Sequence, residues 1–482
     1  MLLRDKAHKA SANTSPATDK QPTTIINNSC NHYKHSMITK KILTAIACAL
    51  AAATASAQEA WTLQRCLDYA AEKNITVQKN RIAQLDAAEQ LKQAQAQLFP
   101  SLSFAMSQGF GYRPFQQATV IVQNGMATST NNKVTENGSY GLNANWTVWN
   151  GGINRKNVEA QRLQGEIADV QTELSLKNIQ EQIAQLYVQI LYTIEAKKVN
   201  EQLAATAKQQ LERGQERYKV GDLAKADVAQ LESQVAQTQY DVVNAQTQID
   251  GYKRQLKALL QLSITEPFDV ATEEMADERA LQPVPDKNEV YDAAVLTRPE
   301  IRNAQLQADA ADLQLNIARR GYLPTIGINA GVGASHYSAD SRGLGEQMKR
   351  NLNGSAGLSL SVPIFDNRRN KTAVERAKIN KTTTALDLLD RQTALGSTIE
   401  NLWLQATSAQ QRFISADAAV KSQETNFELI NEQFKAGLKN IVDLLQARDN
   451  LLQAQQNKLQ SKYTTILNTQ LLRFYEGGQM GI

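Results

Sequence analysis

The chain has 482 residues, and its 52 Lys and Arg against 48 Asp and Glu give a formal net charge of +4. Residues 1–57 hold seven of these basic and two of these acidic residues, so the rest carries 45 basic and 46 acidic side chains. This balance removes the support for nucleic-acid binding through bulk charge. A length of this size suggests about three domains of ordinary size.

The start of the chain has the features of a secretory signal. Segment 37–57 reads MITKKILTAIACALAAATASA, in which two lysines precede an apolar run and an A-S-A tripeptide ends the segment. We therefore expect residues 37–57 to be a signal peptide and residues 1–36 to be upstream translation without structural meaning. Cleavage before Cys48 would make a lipoprotein instead, but Ala45 stands where such sites prefer Leu, so we do not expect lipidation.

Few residues of the mature chain could support catalysis. Cys66 and His336 are its only cysteine and histidine, so we expect no intrachain disulfide, zinc site or Cys/His triad. His336 lies in GASHYSAD, which we interpret as a loop with a surface histidine. Because a phosphate-binding glycine loop is missing too, we expect neither an enzyme nor a cofactor.

Four segments of about ten residues alternate apolar residues with Ser, Gly and Asn, which is the tilted length of a membrane-spanning strand. A soluble sheet would give the same alternation, but the uncharged small polar face suits a narrow lumen. Trp146, Trp149 and Tyr112 could serve as interfacial aromatic residues. The apolar faces span Leu102–Tyr112, Tyr140–Val148, Ile326–Ala334 and Ala356–Ile364.

The stretches that follow the strands predict very long helices. All ten prolines avoid 151–262 and 364–482, which are rich in Ala, Gln, Leu, Glu and Lys. Residues 151–218 alone would form a helix of about 100 Å. Their apolar residues alternate in steps of three and four, which indicates coiled-coil packing, although an ordinary helical bundle has the same periodicity.

The chain contains the same unit twice. YKVGDLAKADVAQ at 218–230 matches FKAGLKNIVDLLQ at 434–446, and NGSYGLNANWTVWN at 137–150 matches NGSAGLSLSVPIFD at 353–366, both at an offset of 216. We therefore predict an internal duplication. The first repeat spans residues 58–262, a linker spans 263–290, and the second repeat spans 291–482.

Four strands cannot close a barrel, since about eight are the minimum. An open sheet edge in lipid would leave backbone groups unpaired at a cost of several kcal/mol each. The barrel must therefore be completed by further copies of the chain. Two copies would give eight strands and three would give twelve, and the physical argument does not choose between them.

Together these features resemble the TolC family of outer-membrane efflux proteins, over roughly residues 58–475. The matching junction motifs are LFPSLS, YLPTIG, WTVWNGG and SVPIFDN. They contain Pro100, Pro324, Gly151, Gly152 and Pro363. The resemblance implies a mixed α + β membrane protein, a homotrimer whose twelve-stranded barrel crosses the outer membrane of a Gram-negative bacterium. A long α-helical coiled-coil barrel would continue it through the periplasm.

The resemblance also assigns a role to the repeated glycine motifs. They correspond to two helix-turn-helix tips at the periplasmic mouth, with Tyr218 and Gly221 in the first tip and Phe434 and Gly437 in the second. Each glycine would supply a turn that a residue with a Cβ atom resists.

The resemblance also implies that residues of the second glycine motif form the constriction of the mouth. Asp443 occupies the family's first acidic position, and the second is the neutral Gln446. Lys439 stands where the family has an Arg that reaches the neighbouring protomer, which points to Asp227 as its partner. Because Lys replaces Arg, we expect a weakly latched gate.

The implied function is an exit duct for small molecules such as drugs and toxic metabolites. Its partners would be a periplasmic adaptor (a membrane fusion protein), an inner-membrane pump and outer-membrane lipid. A type I secretion duct for a polypeptide is an alternative within the family. A soluble periplasmic coiled-coil adaptor is an alternative from another class, and it would not explain the four alternating segments.

Overall fold

The computed structural model describes residues 60–115, 119–123, 126–130, 133–272, 275–338, 340 and 342–481. The predicted upstream segment, the signal peptide and Cys48 therefore lie outside the described residues. In chain order the elements are α1 (Leu63–Lys73), α2 (Ile75–Ala96), β1 (Ser101–Tyr112), β2 (Thr119–Gln123), β3 (Met126–Thr130), β4 (Val134–Trp149), α3 (Ile153–Lys219), α4 (Lys225–Leu260), α5 (Lys287–Thr297), α6 (Pro299–Arg320), β5 (Thr325–Tyr337), α7 (Leu344–Arg350), β6 (Asn353–Ser361), α8 (Arg369–Lys435) and α9 (Ile441–Glu476).

The helices recur in matched lengths. α1 and α5 have 11 residues each, α2 and α6 have 22, α3 and α8 have 67, and α4 and α9 have 36. Within residues 153–260 and 369–476 the helices are interrupted only at the glycine motifs, as the placement of proline predicts. None of the described helices combines the length and the apolar character that crossing a membrane requires.

The helices form a layer in which α3 and α8 run the full length. Nearer the sheet the order is α2, α3, α6, α8, and toward the tips it is α4, α3, α9, α8. The start of α2 meets the end of α4, since the Asn74 side chain donates to the Leu259 carbonyl at 3.0 Å. The start of α6 likewise meets the end of α9, where Arg298 lies over the Tyr475 ring. α2 and α4 thus lie at one edge of the layer and α8 lies at the other.

The main sheet is antiparallel with the order β1-β4-β5-β6. Its register aligns Phe104 with Leu142 and Leu142 with Val332, so one apolar face continues across the strands. A register shift between Thr147 and Trp149 interrupts β4 near its end. β1 and β6 are the edge strands of the described chain.

Two expectations about the strands are corrected. β6 ends at Ser361, so the predicted face beyond it is not strand, because Pro363 lacks the N–H that would continue the ladder. His336 is not a surface loop residue: it lies in β5, and its side chain is only 10% exposed. The missing side chain of Gly138 leaves room for its ring, because a Cβ atom there would overlap with His336 Cε1.

The strand connections contain structure that the alternation did not predict. In the first copy the loop between β1 and β4 holds the β2–β3 hairpin. In the second copy the corresponding loop holds the short helix α7. The Gln347 side chain organises this loop by accepting from the Tyr337 amide at 2.9 Å and donating to the Asp340 carbonyl at 3.1 Å.

The main core lies where the linker crosses the middle of the long helices. Trp61 pairs with Val270 in an isolated bridge, and the Tyr187 hydroxyl donates to the Ala271 carbonyl at 3.0 Å. Asp277 of the linker is held by Lys458 at 2.9 Å and by Lys462 at 3.0 Å. The linker is thereby fixed to α9.

Candidate functional site: the hairpin tips

Both hairpins end in the same hydrogen-bonded turn. At the first tip the Gly221 amide donates to the Tyr218 carbonyl and the Asp222 amide donates to the Arg217 carbonyl, at 3.0 and 2.9 Å. The second tip repeats this pattern from Gly437 to Phe434 at 3.1 Å and from Leu438 to Gln433 at 2.9 Å. These paired bonds are a Schellman motif, which requires a left-handed residue. The glycines supply it with φ values of +83° and +75°.

The two aromatic residues of the tips have different surroundings. Tyr218 is 46% exposed, whereas Phe434 is 7% exposed and packs in a cluster with Leu231, Ile441 and Leu444. Leu231 comes from α4 and is fully buried, so this cluster joins the two hairpins of one chain. Gly214 permits the approach of α4 to α3, because a Cβ atom there would lie 2.5 Å from Leu231 Cδ1.

Arg217 also connects the tips, and the sequence did not predict its role. Its Nη1 donates to the Phe434 carbonyl at 2.9 Å, and its Nε pairs with Asp222 at 2.7 Å. The guanidinium lies 5.4 Å from the centre of the Phe434 ring. Alignment of the two copies could have drawn attention to Arg217, because the equivalent position in the second copy is Gln433. The two tips are therefore not interchangeable.

Three of the predicted gate residues, Lys439, Asp443 and Gln446, lie at or just before the start of α9. Asn440 caps this helix by accepting from the Asp443 amide at 2.9 Å, which fixes Asp443 in the first turn. Lys439 lies 3.5 Å from the Asp443 carboxylate, and both side chains are about 40% exposed (41% and 39%). Gln446, one turn further on, donates to Asn450 at 3.0 Å. The exposed face of α9 thus begins with one acid and continues with neutral amides.

Asp227 is not brought to Lys439 within one chain. Asp227 lies in the first turn of α4, and the Lys439 ammonium faces Asp443 of its own hairpin instead. No ion pair of Asp227 occurs within the described residues. The single chain thus leaves Asp227 open to another copy.

The predicted junction residues all lie within three residues of a strand end. Pro100 and Pro324 directly precede β1 and β5. Gly151 and Gly152, between β4 and α3, are both left-handed with φ values of +68° and +78°. Pro363 lies two residues beyond β6.

The second copy builds its strand-to-helix junction without glycine. Asn367 and Arg368, 216 positions after the glycine pair, have φ values of +52° and +70°. The Asn370 side chain donates to the Gly321 carbonyl at 2.8 Å, which ties this junction to the end of α6. These left-handed non-glycine residues could have been predicted only by aligning the two copies and assuming that the second copy keeps the backbone conformation of the glycine pair.

Comparison with known proteins gives consistent matches. A sequence model of the family described as "Outer membrane efflux protein" matches residues 66–261 and 290–478. The chain is 23% identical to outer membrane protein TolC of Escherichia coli over 86% of this chain and 81% of that protein. It is 22% identical to alkaline protease secretion protein AprF of Pseudomonas aeruginosa over 56% of this chain, and this match spans about half of that protein (55%).

The fold also has solved counterparts. The crystal structure of the outer membrane protein VceC from Vibrio cholerae superimposes with a TM-score of 0.69 at 19% identity. The match covers 87% of this chain and 97% of that one.

Proposed function

The chain belongs to the outer membrane efflux protein family, and on this premise we propose that it is the exit duct of a tripartite efflux system. The family consists of channels and not enzymes, and its members lie in the outer membrane with a helical tunnel in the periplasm. The duct would pass small molecules such as drugs and toxic metabolites from an inner-membrane pump and a periplasmic adaptor to the exterior.

The observation that carries the proposal is the pair of open edges of the sheet. β1 and β6 have no neighbour on their outer sides within the described chain. Both edge strands expose large apolar side chains, including Phe104 at 65% and Leu358 at 74%. An apolar sheet in lipid needs its edges paired, so β6 of one copy would pair with β1 of the next.

The helix layer supports the same assembly. On α2 and α8, the edge helices nearer the sheet, large apolar side chains are exposed at a spacing of seven and then three residues. On α2 they are Ile75, Ile82 and Leu85, and on α8 they begin with Ile379, Leu386 and Leu389. Such a seam is typical of coiled-coil contacts.

The two seams lie at the same height. Leu85 is near the sheet end of α2 and Ile379 is near the sheet end of α8, each about 15 Å from its helix end at about 1.5 Å per residue. The α2 edge of one copy can therefore pack against the α8 edge of the next. We propose three copies and twelve strands, as the family resemblance implies.

The matched helix lengths support the proposed duplication, and the family model matches the chain in two segments. We retain the proposed boundaries of 58–262, 263–290 and 291–482. The similarity to a protein named for alkaline protease secretion keeps a polypeptide duct as a second candidate for the cargo.

A cysteine cross-link tests the assembly. The double variant Leu85→Cys/Ile379→Cys, oxidised in detergent, should give a ladder that ends at three chains. The matched control Leu85→Cys/Leu429→Cys places the second cysteine near the other end of α8 and should stay monomeric. A ladder that ends at two chains would contradict the trimer, and equal cross-linking of both variants would contradict the packing of the edges.

A further inference from the structure

The two end-to-end helix joints of the layer are built differently. At the joint of α4 and α2, Asn74 bonds to Leu259 and the Ile75 amide donates to Gln261 Oε1 at 2.7 Å. At the joint of α9 and α6, Arg298 has the N-cap position that Asn74 has in α2, but it makes no side-chain cap. Its guanidinium lies 4.0 Å from the centre of the Tyr475 ring instead.

The second joint leaves buried polar atoms without partners. Arg298 is 4% exposed, and its Nε pairs with Glu300 Oε1 at 2.8 Å. Arg298 Nη1, Glu300 Oε2 and Asn303 Nδ2 have no hydrogen-bond partner among the described residues. Buried polar groups are nearly always paired, so three unpaired atoms on neighbouring turns indicate a missing partner.

Arg298, Glu300 and Asn303 line a cavity of about 550 Å³ between α3, α6 and α8. This volume falls in the range of roughly 300–1,000 Å³ that is usual for small-molecule sites. The α8 wall contributes Asp387, Asp390 and Arg391. Both the α6 side and the α8 side of the cavity therefore carry charges of both signs.

We propose that this cavity binds a small zwitterion, such as an amino acid or a short peptide with free ends. Arg298 Nη1 and Asn303 Nδ2 would donate to its carboxylate at the start of α6, where the helix dipole favours an anion. Glu300 Oε2 and Asp390 would accept from its ammonium group. A simple anion would meet three carboxylates in the cavity, and a simple cation would meet two guanidinium groups.

Bound there, the zwitterion bridges α6 and α8 beside the end of α9. It binds the folded chain and not the unfolded one, so it raises thermal stability. The site lies in the wall of the helix layer, away from the tips, and does not depend on which cargo the duct carries.

Thermal unfolding and calorimetry of the detergent-purified full chain test the site with glycylglycine. The matched probes are N-acetylglycylglycine, which lacks the ammonium group, and glycylglycine amide, which lacks the carboxylate. Only the zwitterion should raise the unfolding midpoint. If neither glycylglycine nor its blocked forms bind, or if all three bind alike, the proposal is overturned.

Two variants locate the binding. Arg298→Met should weaken glycylglycine binding at least tenfold, whereas Arg302→Met, an exposed arginine on the same helix, should leave it unchanged. Should Arg298→Met not fold, Asp390→Asn at the exposed rim should weaken binding without loss of structure. If Asp390→Asn binds glycylglycine as the unmodified chain does, and Arg298→Met does so too where it folds, the ligand binds elsewhere and the proposal is wrong. Failure here would leave the cross-linking result, and thus the proposed duct, untouched.

Discussion

Arg217 donates a hydrogen bond to the backbone carbonyl of Phe434, and this contact joins the two hairpin tips of one chain. The same arginine is paired with Asp222, so its position is fixed from both sides. The tips of a protomer therefore form one unit, although their motifs lie 216 positions apart in the sequence. In the proposed duct, opening of the mouth would move this unit against its neighbours.

We expect Arg217→Ala to loosen the second tip. Hydrogen bonds from charged donors contribute about 1.5–3 kcal/mol, and partial exposure of this one suggests about 1–2 kcal/mol. Hydrogen exchange at the Gly437 and Leu438 amides should accelerate by roughly 5- to 30-fold. Arg213→Ala, an exposed arginine on the same helix, should leave exchange at these amides unchanged. Equal exchange in both variants would show that Arg217 does not hold the tips.

The proposed latch at Lys439 should be weak. An exposed Lys–Asp pair contributes about 0–1 kcal/mol, so three copies give at most roughly 3 kcal/mol. Lys439→Ala should therefore increase conductance through the mouth by a small factor. If the partner is Asp227 of the next copy, the exchange Lys439→Asp/Asp227→Lys should restore the original conductance. If the exchanged pair conducts like Lys439→Ala, the intersubunit pairing is wrong.

Replacement of a tip glycine by alanine should destabilise the fold through backbone strain alone. Gly221 has a φ of +83°, and no atom lies within 4 Å of the position that an added Cβ atom would take. Gly221→Ala should therefore destabilise the fold by about 1–2 kcal/mol through backbone strain. Gly251, inside α4, also has open space around it but no positive φ, so Gly251→Ala should stabilise by about 0.5–1 kcal/mol. Thermal unfolding measures both, and effects of the same sign would contradict this reasoning.

The linker should detach in acid. Burial alone would raise the pKa of Asp277, but hydrogen bonds from Lys458 and Lys462 outweigh it and hold the net pKa below the ordinary value of 3.8. A carboxylate with a lowered pKa stabilises the fold above its unfolded pKa, and this contribution is lost as the pH falls through the lower folded value. Proteolysis of the linker should thus increase below about pH 4. Asp277→Asn should be cleaved readily at neutral pH too, and resistance there would refute the role of Asp277.

The sequence predicted the long helices and the main strands because their signals are local. Proline placement and period-two alternation act within one segment, and the glycine motifs specify their own turns. Arg217 could not be predicted, because its contact with Phe434 depends on how two distant hairpins pack. The loop prediction for His336 is wrong, because small residues before a histidine are typical of loops, whereas its burial depends on Gly138 in the adjacent strand. Arg368 has a left-handed backbone conformation, which locally favours glycine. A hydrogen bond to the end of α6 holds the junction in this conformation despite that preference.

Copies of this chain are proposed to form a membrane-crossing duct whose mouth is closed by the tips. Single-channel conductance of the detergent-purified protein in a planar lipid bilayer tests this proposal most directly. We predict small, stable steps that grow when Lys439 is replaced by Ala and do not change in Arg213→Ala. A protein that stays soluble without detergent and gives no steps in the bilayer would contradict the duct.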